Sequence, residues 1–184
     1  MSATLIIVGI LVVLVLWFTS VYNSLIRARN KVTNAFAQID TQLQRRFDLI
    51  PNLVETVKGY AAHEEGTLTK VTELRTKFLN SSTPSEKIEV ENQLNTTLKT
   101  LFSVTEAYPD LKANENFLRL QDDLKGTEDK IAFSRQFYND SVLNYNNQLA
   151  VFPNNIVANI FNFKEMTSFE VENEEVKKAP KVQF

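Results

Sequence analysis

Apolar positions divide the chain into two regimes. From Leu5 to Phe18 every residue is apolar except Gly9. With Ala3, Thr4, Thr19, Ser20 and Val21 the uncharged run reaches roughly 19 residues, about 28 Å as a helix, enough to cross the hydrocarbon of a bilayer. Trp17 and Tyr22 lie near one end of the run, where amphipathic rings favour the interface. Beyond it, apolar residues recur every three or four positions. Tyr22, Leu25, Val32, Phe36, Ile39 and Leu43 make one stripe, with Arg29 at the same spacing. That period predicts an amphipathic helix running on directly from the apolar segment.

Breakers separate three further stripes. Pro51 interrupts the first, with Asp48 placed to cap the helix that follows. The second stripe is Leu53, Val57, Tyr60, Leu68, Val71, Leu74 and Phe78, with Gly59 and Gly66 as weak points. After the breaker cluster from Asn80 to Ser85, Thr83 or Ser85 can cap a third helix carrying Ile88, Leu94, Leu98, Leu101 and Phe102. Pro109 intervenes, and a last stripe follows through Phe117, Leu120, Leu124, Ile131, Tyr138, Val142, Tyr145 and Leu149 before Pro153. Four such stripes on short connections are most cheaply buried as an antiparallel bundle. The expected fold is therefore all-α: an N-terminal transmembrane helix continuous with an antiparallel four-helix bundle. Its divisions are a short extracytoplasmic N-terminus over 1–4, the transmembrane helix over 5–21, the bundle over 22–152, and a C-terminal tail over 153–184.

In an up-down-up-down bundle the tail begins near the bilayer. It carries Ile156, Val157, Ile160, Phe161, Phe163, Met166 and Phe169, with Lys164, Lys177, Lys178 and Lys181. Two readings fit it: a short helix folded over the bundle's end and followed by a polar tail, or a membrane-proximal interfacial segment. The shortness of the apolar pattern and its interruption by asparagines favour the first.

Charge sets the orientation. Arg27, Arg29 and Lys31 follow the span, and the first acid is Asp40, so the positive-inside rule puts the bundle in the cytoplasm and the N-terminus outside. A cleaved signal peptide would need a basic region before the apolar run and a small-residue cleavage site after it; neither is evident. The net charge of −2 argues against nucleic acid as a partner. Having no cysteine excludes thiolate metal sites, disulfides and thiol catalysis.

Candidate chemistry is sparse. His63, the single histidine, precedes Glu64, but HExxH needs a second histidine, and bundle di-iron sites need two Glu-x-x-His motifs. No catalytic, cofactor-binding or metal-binding residues are assigned, and no cofactor is expected. The notable charges are those inside apolar stripes: Arg29, Glu64, Glu128 and Arg135. Glu128 and Arg135, two turns apart, face one seam and imply interhelix salt bridges or a polar cavity, with register-fixing as the plainer role. Tyr-Asn recurs at Tyr22-Asn23, Tyr138-Asn139 and Tyr145-Asn146.

Several long runs resemble the LemA family of bacterial membrane proteins: Arg45 to Glu64 (RRFDLIPNLVETVKGYAAHE), Glu106 to Gln121 (EAYPDLKANENFLRLQ), Thr127 to Asn146 (TEDKIAFSRQFYNDSVLNYN), and the Tyr-Asn after the apolar run. The resemblance extends to about Phe163. It implies a bacterial inner-membrane protein with one membrane helix, a short outside N-terminus and a cytoplasmic helical bundle. It carries no catalytic residues. One similar protein takes part in building magnetosome membranes, which by analogy favours a membrane-organising role. The expected function is a non-enzymatic membrane-anchored scaffold that forms homo-oligomers on the lipid bilayer and organises membrane or membrane-protein complexes. An adaptor subunit of a membrane protease or transporter, partnered by other membrane proteins, is the alternative.

Overall fold

The computed structural model describes residues 2–169, and every regular element among them is helical. Lys177, Lys178 and Lys181 lie outside the described residues. The elements are α1 (Ser2–Asp48), α2 (Ile50–Lys58), a 3-10 turn (Ala62–Glu64), α3 (Glu65–Asn80), α4 (Pro84–Thr105), α5 (Pro109–Lys112), α6 (Glu115–Ala150) and α7 (Asn154–Ile160). The protein is all-α.

The continuity expected at the end of the apolar run is present: α1 is one uninterrupted helix of 47 residues, about 70 Å long. Its large apolar side chains from Leu5 to Leu16 are exposed on all sides. The run contains no helix-breaking proline and no charge before Arg27, so nothing local stops helix propagation. Among the described residues it is the helix long and apolar enough to cross a membrane.

The chain forms two compact units, one of Asn34–Gln136 and one made of the chain before and after that stretch. In the first unit, Ile39, Leu43 and Phe47 of α1, Leu53 and Val57 of α2, Leu74 and Phe78 of α3, Leu94 and Leu98 of α4, and Leu124 and Ile131 of α6 are buried. Phe47 stacks on Phe78 with ring centroids 4.1 Å apart, tying α1 to α3.

Two local expectations are revised. Asp48 does not cap α2: it is the last residue of α1, Leu49 occupies the cap without a side-chain bond, and the Asp48 carboxylate accepts from Gln44 at 2.9 Å. Pro51 in the first turn supplies the preset φ, and that is enough to restart the helix. The second stripe is also not one helix. It breaks at Gly59, one of its two weak points, while Gly66 stays inside α3, and the change of register leaves Tyr60 exposed rather than buried. Of the two cap candidates for α4, Thr83 acts: its hydroxyl accepts from the Glu86 N–H, and the Glu86 carboxylate accepts from the Thr83 N–H, a reciprocal capping box.

In the other unit, Leu25 and Val32 of α1, Val142, Tyr145 and Leu149 of α6, and Val157 and Ala158 of α7 are buried. Helix α7 closes in a Schellman-type turn. Phe163 N–H reaches Ala158 O at 2.9 Å, Asn162 N–H reaches Asn159 O at 3.2 Å, and Asn162 takes the left-handed conformation at φ 54°. Asparagine accepts that conformation more readily than other residues with a Cβ, and the turn sends the chain into an extended segment ending at Phe169.

Candidate functional site

Two constellations stand out, one in each unit. In the Asn34–Gln136 unit a buried charged cluster joins α1, α4 and α6. Arg46 is only 2% exposed because it continues the first stripe, three residues after Leu43 and four before Ile50. Glu91 is 1% exposed for the same reason, three residues from both Ile88 and Leu94. Arg46 Nη1 donates to Glu91 Oε1 at 2.9 Å, and Nη2 lies 3.4 Å from Glu128 Oε2. Arg135 Nη2 donates to the other Glu91 oxygen and approaches Asn92 Oδ1 at 3.4 Å. Asn95 Nδ2 adds a third donor to Glu91, at 2.7 Å from Oε1.

Two guanidinium and two carboxylate groups make the cluster neutral, the condition for keeping charge in a helical core. Burial pushes the Arg46 pKa down from its ordinary value, and the carboxylates of Glu91 and Glu128 oppose that shift. Arginine stays charged throughout, so neither guanidinium gives or takes a proton. Its chemistry is positional: Glu91 fixes α4 to α1 through Arg46 and to α6 through Arg135.

The residues singled out from sequence are thus only partly brought together. Glu128 and Arg135 share the cluster, yet their main partner is not each other. Arg46 and Glu91 are masked by their residue type, although stripe spacing alone places both on the core faces of their helices. Glu64, the last residue of the 3-10 turn, accepts from the Tyr108 hydroxyl at 3.3 Å. Partial desolvation, and then the Glu64 charge, raise the Tyr108 pKa. His63 is exposed in that turn. Among the described residues no group of three or more His, Asp or Glu side chains converges as a metal site.

The second constellation explains the recurring Tyr-Asn pairs. The segment after α7 runs antiparallel to α6 and is gripped through its main chain. Asn146 Nδ2 donates to Met166 O at 2.8 Å, and Met166 N–H donates back to Asn146 Oδ1 at 3.0 Å. Asn139 makes the same two-way pair with Phe169, at 3.0 and 2.8 Å. The hydroxyls of Tyr145 and Tyr138 donate to Lys164 O and Thr167 O, each at 3.1 Å. The register follows from helix and strand geometry. Seven helical residues advance about 10.5 Å, and three extended residues cover about 10 Å. Asn139 and Asn146 therefore meet Phe169 and Met166 with the same geometry at each rung.

Burial raises the pKa of both tyrosines; for Tyr145 the Arg29 charge partly opposes it. Both hydroxyls thus stay protonated and able to donate. Arg29, the fourth stripe charge, is exposed and sits with its guanidinium 5.7 Å from the Phe163 ring centroid. The third pair behaves differently: Tyr22 packs against Phe161 at 4.6 Å and Phe163 at 5.9 Å.

An all-α chain whose first helix is long and apolar enough to cross a membrane, and whose polar interior is built for positioning, defines a class of helical membrane-associated proteins. Within that class the chain belongs to the LemA family, whose profile matches residues 35–184. It is similar to Protein LemA of Metamycoplasma hominis, 28% identical over 158 residues, covering 84% of this chain and 72% of that protein. It is also similar to Magnetosome protein MamQ 1 and Magnetosome protein MamQ 2 of Paramagnetospirillum magneticum. Each is 22% identical over 175 residues, and the match spans 81% of this chain but 64% of their length. Arg46, Glu128, Arg135, Asn139 and Asn146 all fall inside the sequence runs that carry the family resemblance, and Glu91 falls outside them.

Proposed function

We propose that the protein is a non-enzymatic, membrane-anchored helical scaffold that self-assembles and organises membrane or membrane-protein complexes. In this reading α1 spans the bacterial inner membrane with its N-terminus outside, and its cytoplasmic part belongs to an antiparallel four-helix bundle. The observation that carries it is α1 itself: a single helix, apolar on every face from Leu5 to Leu16, that continues unbroken into a domain core at Ile39 and Leu43. A helix apolar all round is stable only in protein or lipid, and those side chains are exposed. Confinement of every copy to one plane raises local concentration and favours assembly without strong pairwise contacts. Two relatives being magnetosome proteins adds support to a membrane-organising role. The polar sites described above join helices and hold the extended segment 164–169, with no nucleophile activated by a base among them.

Cross-linking and native mass measurement of the full chain in mild detergent test the proposal. Assemblies larger than one chain are expected, and a strictly monomeric particle at high protein concentration refutes self-assembly. Protease added to intact cells should leave the helical domain uncut, and its digestion refutes the orientation. The adaptor reading draws on Phe133, which is 75% exposed on α6 and suited to a partner's pocket. Its signature is co-purification of another membrane protein that is lost with Phe133→Ser.

A further inference from the structure

We propose that α7 and its flanking turns are a second membrane contact, an apolar foot that lies in the bilayer interface beside the end of the spanning segment. Val151, Phe152, Ile156, Ile160 and Phe161 are all exposed, Phe152 by 74% and Ile160 by 62%. Ile156 and Ile160 lie one turn apart on one face, while Val157 and Ala158 are buried on the other. The helix is thus apolar toward its own unit and apolar toward the outside, an arrangement that water does not favour.

Lipid is the occupant because of where this surface sits. The Phe161 ring lies 5.8 Å from that of Phe18 and 4.6 Å from that of Tyr22. Phe18 is the last residue of the apolar run, and the first charge, Arg27, comes more than two turns later. Phe18 and Tyr22 therefore mark the edge of the hydrocarbon when α1 spans the bilayer, and Phe161 lies at their depth. The sequence fits that depth. No charged residue occurs from Ser141 to Phe163, and the polar positions in α7 are neutral asparagines suited to headgroups. Exposed cations follow on both segments, Arg27, Arg29 and Lys31 on α1 and Lys164 on the extended chain after α7, where anionic headgroups would meet them. An interfacial helix of this kind buries its apolar face about 5–10 Å into the headgroup and acyl boundary. The Asn139 and Asn146 ladder then anchors the chain that leaves the foot.

The inference rests on the reading of α1 as a membrane span, and the test separates the two. The protein has one tryptophan, so Trp17→Phe provides a silent background. Three single-tryptophan full-length proteins, carrying Phe152→Trp, Ile160→Trp or Leu11→Trp, are placed in phosphatidylcholine–phosphatidylglycerol vesicles with lipids brominated high or low on the acyl chain. Leu11→Trp reports the span, with strongest quenching expected from bromine low on the chain. Phe152→Trp and Ile160→Trp should show blue-shifted emission quenched most by bromine high on the chain. Emission at the wavelength of water-exposed indole, open to aqueous quenchers, overturns the foot while a quenched Leu11→Trp leaves the span intact. Blue-shifted emission that no brominated lipid quenches overturns it as well, assigning the surface to a second copy or a protein partner. An unquenched Leu11→Trp removes the span and the foot together. Both probe sites are exposed, so the substitutions leave the folded core alone.

Discussion

Glu91→Gln is the sharpest perturbation of the charged cluster, because it removes one charge and keeps the volume. In the native protein Glu91 accepts from Arg46, Arg135 and Asn95 while 1% exposed. In the variant Arg46 remains buried, with its nearest carboxylate on Glu128, which is 46% exposed and 3.4 Å away. A charge pair at this range interacts by about 4 kcal/mol at an effective dielectric near 20, and breaking a buried pair from one side costs about 3–5 kcal/mol. The glutamine carbonyl still accepts one bond, which places the expected loss near the lower figure, about 3 kcal/mol. Urea unfolding of the detergent-solubilised full chain, followed by far-ultraviolet circular dichroism, reads this directly. With a slope of about 1–3 kcal/mol per molar, the midpoint should fall by roughly 1–3 M at unchanged slope. Arg46→Met combined with Glu91→Leu supplies the control, since replacing both partners by apolar groups is often neutral or stabilising. The double variant should be far more stable than the sum of its singles. A midpoint unchanged by Glu91→Gln, or simple additivity in the double variant, refutes the cluster as the tie between α1, α4 and α6.

Arg135→Ala should cost less than Glu91→Gln, about 1.5–3 kcal/mol by the same urea assay, because Arg46 keeps its charge partner. Thr83→Ala should cost about 1 kcal/mol through loss of the α4 cap, and Thr83→Ser should restore most of it. Asn139→Leu with Asn146→Leu should accelerate hydrogen exchange at the amides of Met166 and Phe169, whose N–H groups donate to those side chains, while leaving the amides of α4 unchanged. Tyr138 and Tyr145 have folded pKa values raised above the unfolded value near 10. The neutral phenol is thus favoured by folding; its stabilisation is complete below that unfolded value and is lost as pH rises through the folded values. Phenolate absorbance should appear later for these two than for an unfolded chain, and Tyr138→Phe with Tyr145→Phe should flatten the alkaline loss of stability.

Much of the architecture was legible from single-sequence physics because it rests on local terms. Proline-free, glycine-poor stretches with a three-to-four spacing specify helices, and an unbroken apolar run merging into that spacing specifies one continuous α1. The positions of most buried residues, such as Ile39, Leu74, Leu98 and Val142, follow from the same stripe. So do the core locations of Arg46 and Glu91, once spacing is given precedence over residue type. What periodicity cannot supply is partner choice. Glu91 could have met any cation facing the core; that it takes Arg46, 45 residues away, and Arg135, 44 away, depends on how three helices are set against one another. Likewise the Tyr-Asn pairs are visible as a repeat, but their bonds go to the main chain of residues 164–169, and main-chain atoms carry no sequence signal. Tyr60 makes the same point in reverse. Its spacing assigns it to the core, yet a turn at Gly59 changes the register and turns it outward. Helix type and burial pattern are set by each residue and its near neighbours; which groups finally touch is set only when distant segments pack.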